Sequence, residues 1–163
     1  MKPPELGAPF CDARGTRWRV ARVVCVEGVP VPKRAPQIAR GPFPRLYQHA
    51  GSRAYRDGLV MPAASSELPP IAGPVRCDID LVFKRPQRLF VRRHGEHRSP
   101  HIARPDADNG VGMLLDGMTD AGVWRDDSQV CAMSIWKWYG AVIGRRPNRC
   151  EGAHALVVVS VPA

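Results

Sequence analysis

No stretch of apolar residues approaches the ~18 that a membrane-spanning helix requires, which leaves no candidate span. The first residues, Met1-Lys2-Pro3-Pro4-Glu5-Leu6-Gly7, lack the apolar centre of a secretory leader, so a bacterial-type cytoplasm is the expected setting. Cysteine is sparse. Cys11, Cys25, Cys77, Cys131 and Cys150 are odd in number, widely scattered and without a Cys-x-x-Cys pair, which argues against a disulfide framework or a zinc knuckle. They are expected to be reduced, mostly buried thiols. Acidic residues are in deficit, 15 against 24 Lys+Arg, and no internal repeat is present.

What remains is a chain of 163 residues, 44% of them hydrophobic, which suits one globular domain with one core. Its net charge of +9 points to a polyanionic partner, because lysines and arginines that neutralise phosphates release condensed counterions from nucleic acid. The charge is unevenly placed. Lys84, Arg85, Arg88, Arg92, Arg93, Arg98 and Arg104 share the segment 84–104 with a single acid, Glu96. Directly after it, Asp106, Asp108, Asp116, Asp120, Asp126 and Asp127 stand against one cation, Arg125. An acidic segment repels DNA, but beside a basic one it can hold a divalent cation next to a phosphate backbone.

Patterning predicts an α+β domain: a mixed sheet with helices packed on it, over residues 20–163, after a flexible basic lead at 1–19. Strands are expected at Val20–Val26, Val75–Phe83, Val130–Trp138 and Ala155–Val161, where apolar, β-branched residues dominate. Alternate prolines make 29–36 an extended segment that exposes Lys33 and Arg34. Leu46, Tyr47, Ala50 and Ala54 repeat at helical spacing between Pro44 and Asp57, and Pro62, Pro69, Pro70 and Pro74 make 61–74 a loop. Val111, Leu114, Leu115 and Met118 form the stripe of a helix from about Asn109 to Gly122. The basic segment 84–104 reads as a long loop.

Asp106 and Asp108 are the first candidate metal ligands. Extended geometry next to Pro105 would point both carboxylates to one side, and Mg²⁺, with Mn²⁺ as a substitute, is held by one or two carboxylates while keeping waters for a phosphate. A competing role is simple helix capping by Asp108 or Asn109. Asp126 and Asp127 enter a strand where neighbours alternate faces, so only one should reach a metal directly, leaving Asp126 behind it. Asp116 and Asp120 read as a solvated helix face.

The runs Arg104-Pro-Asp106-Ala-Asp108-Asn109, Leu115-Asp116-Gly-Met, Trp124-Arg-Asp126-Asp127-Ser-Gln129-Val and Lys137-Trp-Tyr-Gly140 resemble the RusA family of Holliday-junction resolvases. Glu27-Gly28-Val-Pro30-Val-Pro32-Lys33 resembles that family's first strand and Pro-Lys turn. The resemblance implies a homodimeric endodeoxyribonuclease, often carried by phages, that cuts four-way junctions symmetrically with Mg²⁺, with Asp106, Asp108 and Asp127 as metal-binding catalytic residues. The setting would then be a bacterial or phage-infected cell. The family lysine four residues after the second aspartate is replaced by Gly112, so Lys137, Arg104 or Arg125 is expected to supply the cation. Loss of that lysine also opens an alternative: a junction-binding protein with impaired catalysis. A nuclease for other branched DNA is a third reading. Lys33, Arg34, Arg88, Arg92, Arg93, Arg98, Arg104 and Lys137 are the expected DNA contacts. His94, His97 and His101 read as phosphate contacts or exposed groups rather than zinc ligands, and Cys150 with His154 is a weaker metal pattern still. Trp136 and Trp138 are expected in the core, with base stacking as the lesser reading, and Phe90 could wedge a base step.

Overall fold

The computed structural model describes residues 5–33, 37–39, 45–47, 49–64, 67–89, 97–141 and 152–163. Its frame is a mixed six-stranded sheet. β1 (Pro9–Cys11), β2 (Arg17–Glu27), β5 (Val75–Phe83), β6 (Ser99–Pro100), β7 (Val130–Tyr139) and β8 (His154–Pro162) lie in the order β1-β2-β8-β5-β7-β6. β5 and β7 run parallel, and the other neighbours are antiparallel. α3 (Ala107–Asp120) is the crossover element that joins the parallel pair. The α+β reading therefore holds.

Alternation explains the strands. In β5 the odd-numbered residues Val75, Cys77, Ile79 and Leu81 are buried while Arg76, Asp78 and Asp80 are not. In α3 the buried stripe Val111, Leu114 and Met118 faces the same core. Val24, Val26, Val157 and Val159 extend that core across β2 and β8.

Three expectations need correction. Residues 9–19 are not an unstructured lead: β1 pairs with β2, and Asp12 closes the turn by accepting from the backbone of Arg14 and Thr16 and from Trp18 Nε1 at 2.9 Å. Trp18 is buried, so the turn has an apolar anchor. The helix expected from Pro44 is also displaced. Arg45–Tyr47 forms β4, paired with β3 (Gln37–Ala39) in a separate hairpin. Helix begins only at α1 (Ala50–Tyr55), passes through a π-helical turn at Arg56–Val60 and continues as α2 (Met61–Ala64), inside the expected loop. Val60, on the π-helical turn, is fully buried against Gly117 of α3. Finally, most described cysteines are exposed: Cys11, Cys25 and Cys131 are, and only Cys77 is buried, where desolvation pushes its thiol up to about 12.

β7 pairs with β5 along its whole length, but on its other side only Trp138 and Tyr139 meet β6, with one further bond from His101 N–H to the Lys137 carbonyl. Among the described residues the edge from Val130 to Trp136 is thus unpaired. Along it Met133 (40%), Ile135 (37%) and Trp136 (57%) are exposed apolar side chains.

Candidate nucleic-acid interface and metal site

The acidic residues occupy both ends of α3. Asp106 is its N-cap, with extended backbone and no side-chain capping bond, and Asp108 lies in the first turn. Both are exposed, and neither forms an ion pair among the described residues. The cap is therefore Asp106, not Asp108 or Asn109, and its carboxylate stays uncommitted. The two carboxylates do not sit on one extended segment as expected. One precedes the helix and the other is inside it, yet they share its N-terminal end, where unpaired N–H groups favour anions and lift some of the repulsion between them.

The approach to Asp106 is pinned from β7. Lys137 Nζ donates to the carbonyls of Ala103 (2.9 Å) and Pro105 (2.6 Å), on either side of the cis Arg104–Pro105 peptide. Lys137 was expected to contact DNA or to replace the absent lysine. Two of its three protons are instead committed to the backbone that delivers Asp106.

At the far end, Trp124 is buried and donates Nε1–H to Thr119 Oγ1 at 2.8 Å, fixing the turn out of α3. Asp126 then caps a short 3₁₀ turn: it accepts from Ser128 N–H at 2.8 Å, while Gln129 Oε1 accepts from the N–H groups of Arg125 and Asp126. Hydrogen bonds from Ser128, side chain and backbone, hold the Asp126 carboxyl below its ordinary range. Gln129 Nε2 donates to the carbonyls of Ile71 and Gly73 and ties the turn to the loop before β5. Asp127 stays exposed. An Asp-x-x-Gln pattern is a capping-box signature, so this structural role of Asp126 and Gln129 was readable from sequence and was missed.

α3 has fourteen residues, a length of about 21 Å at 1.5 Å per residue. Lys137 binds the Pro105 carbonyl toward one end of β7 while Asp127 precedes the other end at Val130, so at ~3.3 Å per residue Asp106 and Asp127 stand on the order of 20 Å apart within one chain, and no three acidic, histidine or cysteine side chains among the described residues gather as a metal site. The structure brings Asp106 and Asp108 to one place but leaves Asp127 at the other.

The expected DNA contacts divide. Lys33, Arg88 and Arg104 are exposed. Arg98 is instead half-buried, bonded to Asp80 Oδ2 at 3.1 Å and to His154 Nε2 at 3.3 Å. Arg85 is buried, donating to the carbonyls of Gly140 and His97 and so bracing the start of the basic loop. Arg34, Phe90, Arg92, Arg93, His94 and Cys150 lie outside the described residues. His97 is exposed, but His101 is not. It is buried between the rings of Phe83 and Tyr139, and desolvation, followed by the charge of Lys137, lowers its pKa below the ordinary 6.5. Trp136 and Trp138 are not in the core. They stack on each other, centroids 5.6 Å apart, with Trp138 Nε1 donating to Asp80. No helix among the described residues is long and apolar enough to cross a membrane.

A family model described as Endodeoxyribonuclease RusA matches residues 27–145, a span that takes in the Pro-Lys segment, the basic loop, all of α3 and all of β7. No curated protein matches the chain.

Proposed function

The chain belongs to the RusA endodeoxyribonuclease family, and from that premise we propose that it resolves four-way DNA junctions by paired, symmetrical, Mg²⁺-dependent nicks, as a homodimer in the cytoplasm of a bacterial or phage-infected cell. One observation carries the reading: among the described residues β7 has an unpaired edge with exposed Met133 and Ile135 along it, and the acidic motifs lie toward its opposite ends, Asp127 just before Val130 and Asp106 beside the Pro105 carbonyl that Lys137 binds. Free edges of this kind recruit another strand. A second copy of β7 added antiparallel would bury those side chains and carry the partner's Asp127 toward Asp106 and Asp108, at two places related by the twofold axis. That symmetry suits a four-way junction, with one site for each of two opposed strands.

The residues present fit a divalent cation. Asp106 and Asp108 offer exposed oxygen donors without competing ion pairs among the described residues, and Asp127 offers a third from the partner. Held there, a divalent cation would supply Lewis-acid chemistry, polarising a non-bridging phosphate oxygen and making a water more acidic. Asp126, committed to its cap, orients the turn instead of binding the metal. Lys137 fixes the chain entering Asp106, so the carboxylate is positioned before substrate arrives. Arg88 and Arg104, with the rest of the basic loop, supply affinity for backbone phosphates without reading sequence.

The test is cleavage of a labelled four-way junction in Mg²⁺, in EDTA and by Asp106→Asn, each beside a gel shift. Paired nicks that vanish in EDTA and in the variant while binding persists support the reading. Tight binding without cleavage under any divalent cation favours the second reading, motivated by Gly112: a junction-binding protein without turnover. Preferential cleavage of flaps over junctions would move the substrate to other branched DNA.

A further inference from the structure

Gly112 leaves a gap on α3 that another element fills. Asp108, Gly112 and Asp116 are four residues apart and make one stripe along the helix. The extended segment before the β3–β4 hairpin docks beside that stripe. Its Lys33 N–H donates to the Asn109 carbonyl at 2.7 Å, and the Pro32 carbonyl accepts from Ser52 Oγ of α1. From there the Lys33 side chain crosses Gly112. A Cβ built on that glycine would sit 3.5 Å from Lys33 Cδ, in ordinary van der Waals contact. Beyond the crossing, Nζ pairs with Asp116 Oδ2 at 2.7 Å. A side chain from another strand thus places an ammonium over the stripe where α3 itself has none.

We propose that Lys33 is the cation that faces the DNA phosphate at the Asp106/Asp108 end of α3, and that Asp116 holds it while no DNA is bound. The proposal rests on the nuclease reading above. Of the other candidates, Lys137 is committed to two carbonyls and Arg125 lies past the far end of α3, while Arg104 is exposed on the approach to Asp106, outside the Asp108/Gly112/Asp116 stripe, and is left to the backbone-phosphate contacts given above. The Lys33–Asp116 pair is half-exposed on both sides, the kind of ion pair that exchanges readily for another anion. Rotation about the last carbon–carbon bonds of Lys33 carries Nζ back along the stripe by ~5 Å, about one helical turn, toward Asp108. In hydrolysis, water adds to phosphorus and one P–O bond to sugar breaks, leaving a phosphate end and a hydroxyl end. Lys33 forms and breaks no bond; its charge offsets the negative charge that builds on the phosphate oxygens.

The experiment measures single-turnover cleavage at saturating junction, beside junction affinity, for wild type, Lys33→Met, Lys33→Arg and the double variant Lys33→Met/Gly112→Lys. Methionine keeps an unbranched stem over Gly112 and removes only the charge. Lys33→Met should lower the saturated rate by about tenfold to a hundredfold while changing affinity by less than about threefold. The double variant, with a lysine restored from α3, should recover most of the rate, and Lys33→Arg part of it. Lys33→Met cutting at the wild-type rate, or losing affinity alone, overturns the proposal. So does a loss of rate that neither arginine nor the lysine at 112 restores, since that loss belongs to packing. If wild type itself cuts no branched DNA, the nuclease reading fails, a result distinct from active wild type with an equally active Lys33→Met.

Discussion

Gly117→Ala and Gly112→Ala change the same helix in the same way, yet the structure assigns them opposite signs. An alanine replacing an interior helical glycine gains about 1 kcal/mol from backbone propensity alone. At Gly112 the new methyl meets only Lys33 Cδ, at 3.5 Å, the movable part of an exposed chain. Nothing offsets the gain, so the variant should be more stable by about 1 kcal/mol. At Gly117 the methyl would overlap Val60 Cγ1 and stand 3.0 Å from Val60 Cβ. Val60 is fully buried on the π-helical turn and, being β-branched, has little rotamer freedom to yield. Overpacking of this kind typically costs 1–3 kcal/mol. Set against the propensity gain, it leaves Gly117→Ala up to about 2 kcal/mol less stable than wild type and about 1–3 kcal/mol below Gly112→Ala. At roughly 2–4 °C per kcal/mol for a chain of this size, the two melting temperatures should differ by several degrees. Urea unfolding of the three proteins checks this. Equal stability of the two variants, or a stabilised Gly117→Ala, would refute the packing of the π-helical turn against α3.

Lys137→Met removes two charge-assisted hydrogen bonds to the Asp106 approach and should lower the cleavage rate by about tenfold or more, with junction affinity nearly unchanged; rate and gel-shift measurements together decide it. Arg85→Ala leaves the carbonyls of Gly140 and His97 without their buried donor and should cost about 2–4 kcal/mol, read by chemical denaturation. His101 has a folded-state pKa below its unfolded value, so the unfolded chain binds the extra proton first and its contribution is full above pH 6.5 and is lost as pH falls through that value toward the lowered one. Stability measured from pH 7 to 5 should accordingly fall less steeply in His101→Phe than in wild type.

The long strands were legible because β2, β5 and β8 bury alternate or continuous β-branched residues, and α3 because four apolar positions repeat at 3, 4 and 7. β1 and β3–β4 were not. Three-residue strands beside Pro9, Pro36 or Pro44 have too few positions to show a period. Helix beyond Gly58 was hidden because Gly58 and Pro62 punctuate the sequence, while the burial of Val60 against Gly117 is a contact between distant segments. Within the site, the residue types at both acidic motifs were readable, but not what each side chain touches. A lysine on a charged strand reads as a phosphate contact, and only the fold turns Lys137 toward two carbonyls and Lys33 across Gly112. The separation of Asp106 from Asp127 runs along β7, from the Lys137 end to Val130, and only the fold shows it.

The central claim is that two chains share each site, and complementation tests it most directly. Asp106→Asn and Asp127→Asn, each inactive alone, are co-refolded in equal amounts and given a four-way junction with Mg²⁺. Random pairing makes half the dimers mixed, and each mixed dimer has one site with Asp106 and Asp127 both intact, so nicking should return to about a quarter of the wild-type level. Sites contained within single chains would leave every site damaged, and a mixture as inactive as its two components would contradict the account.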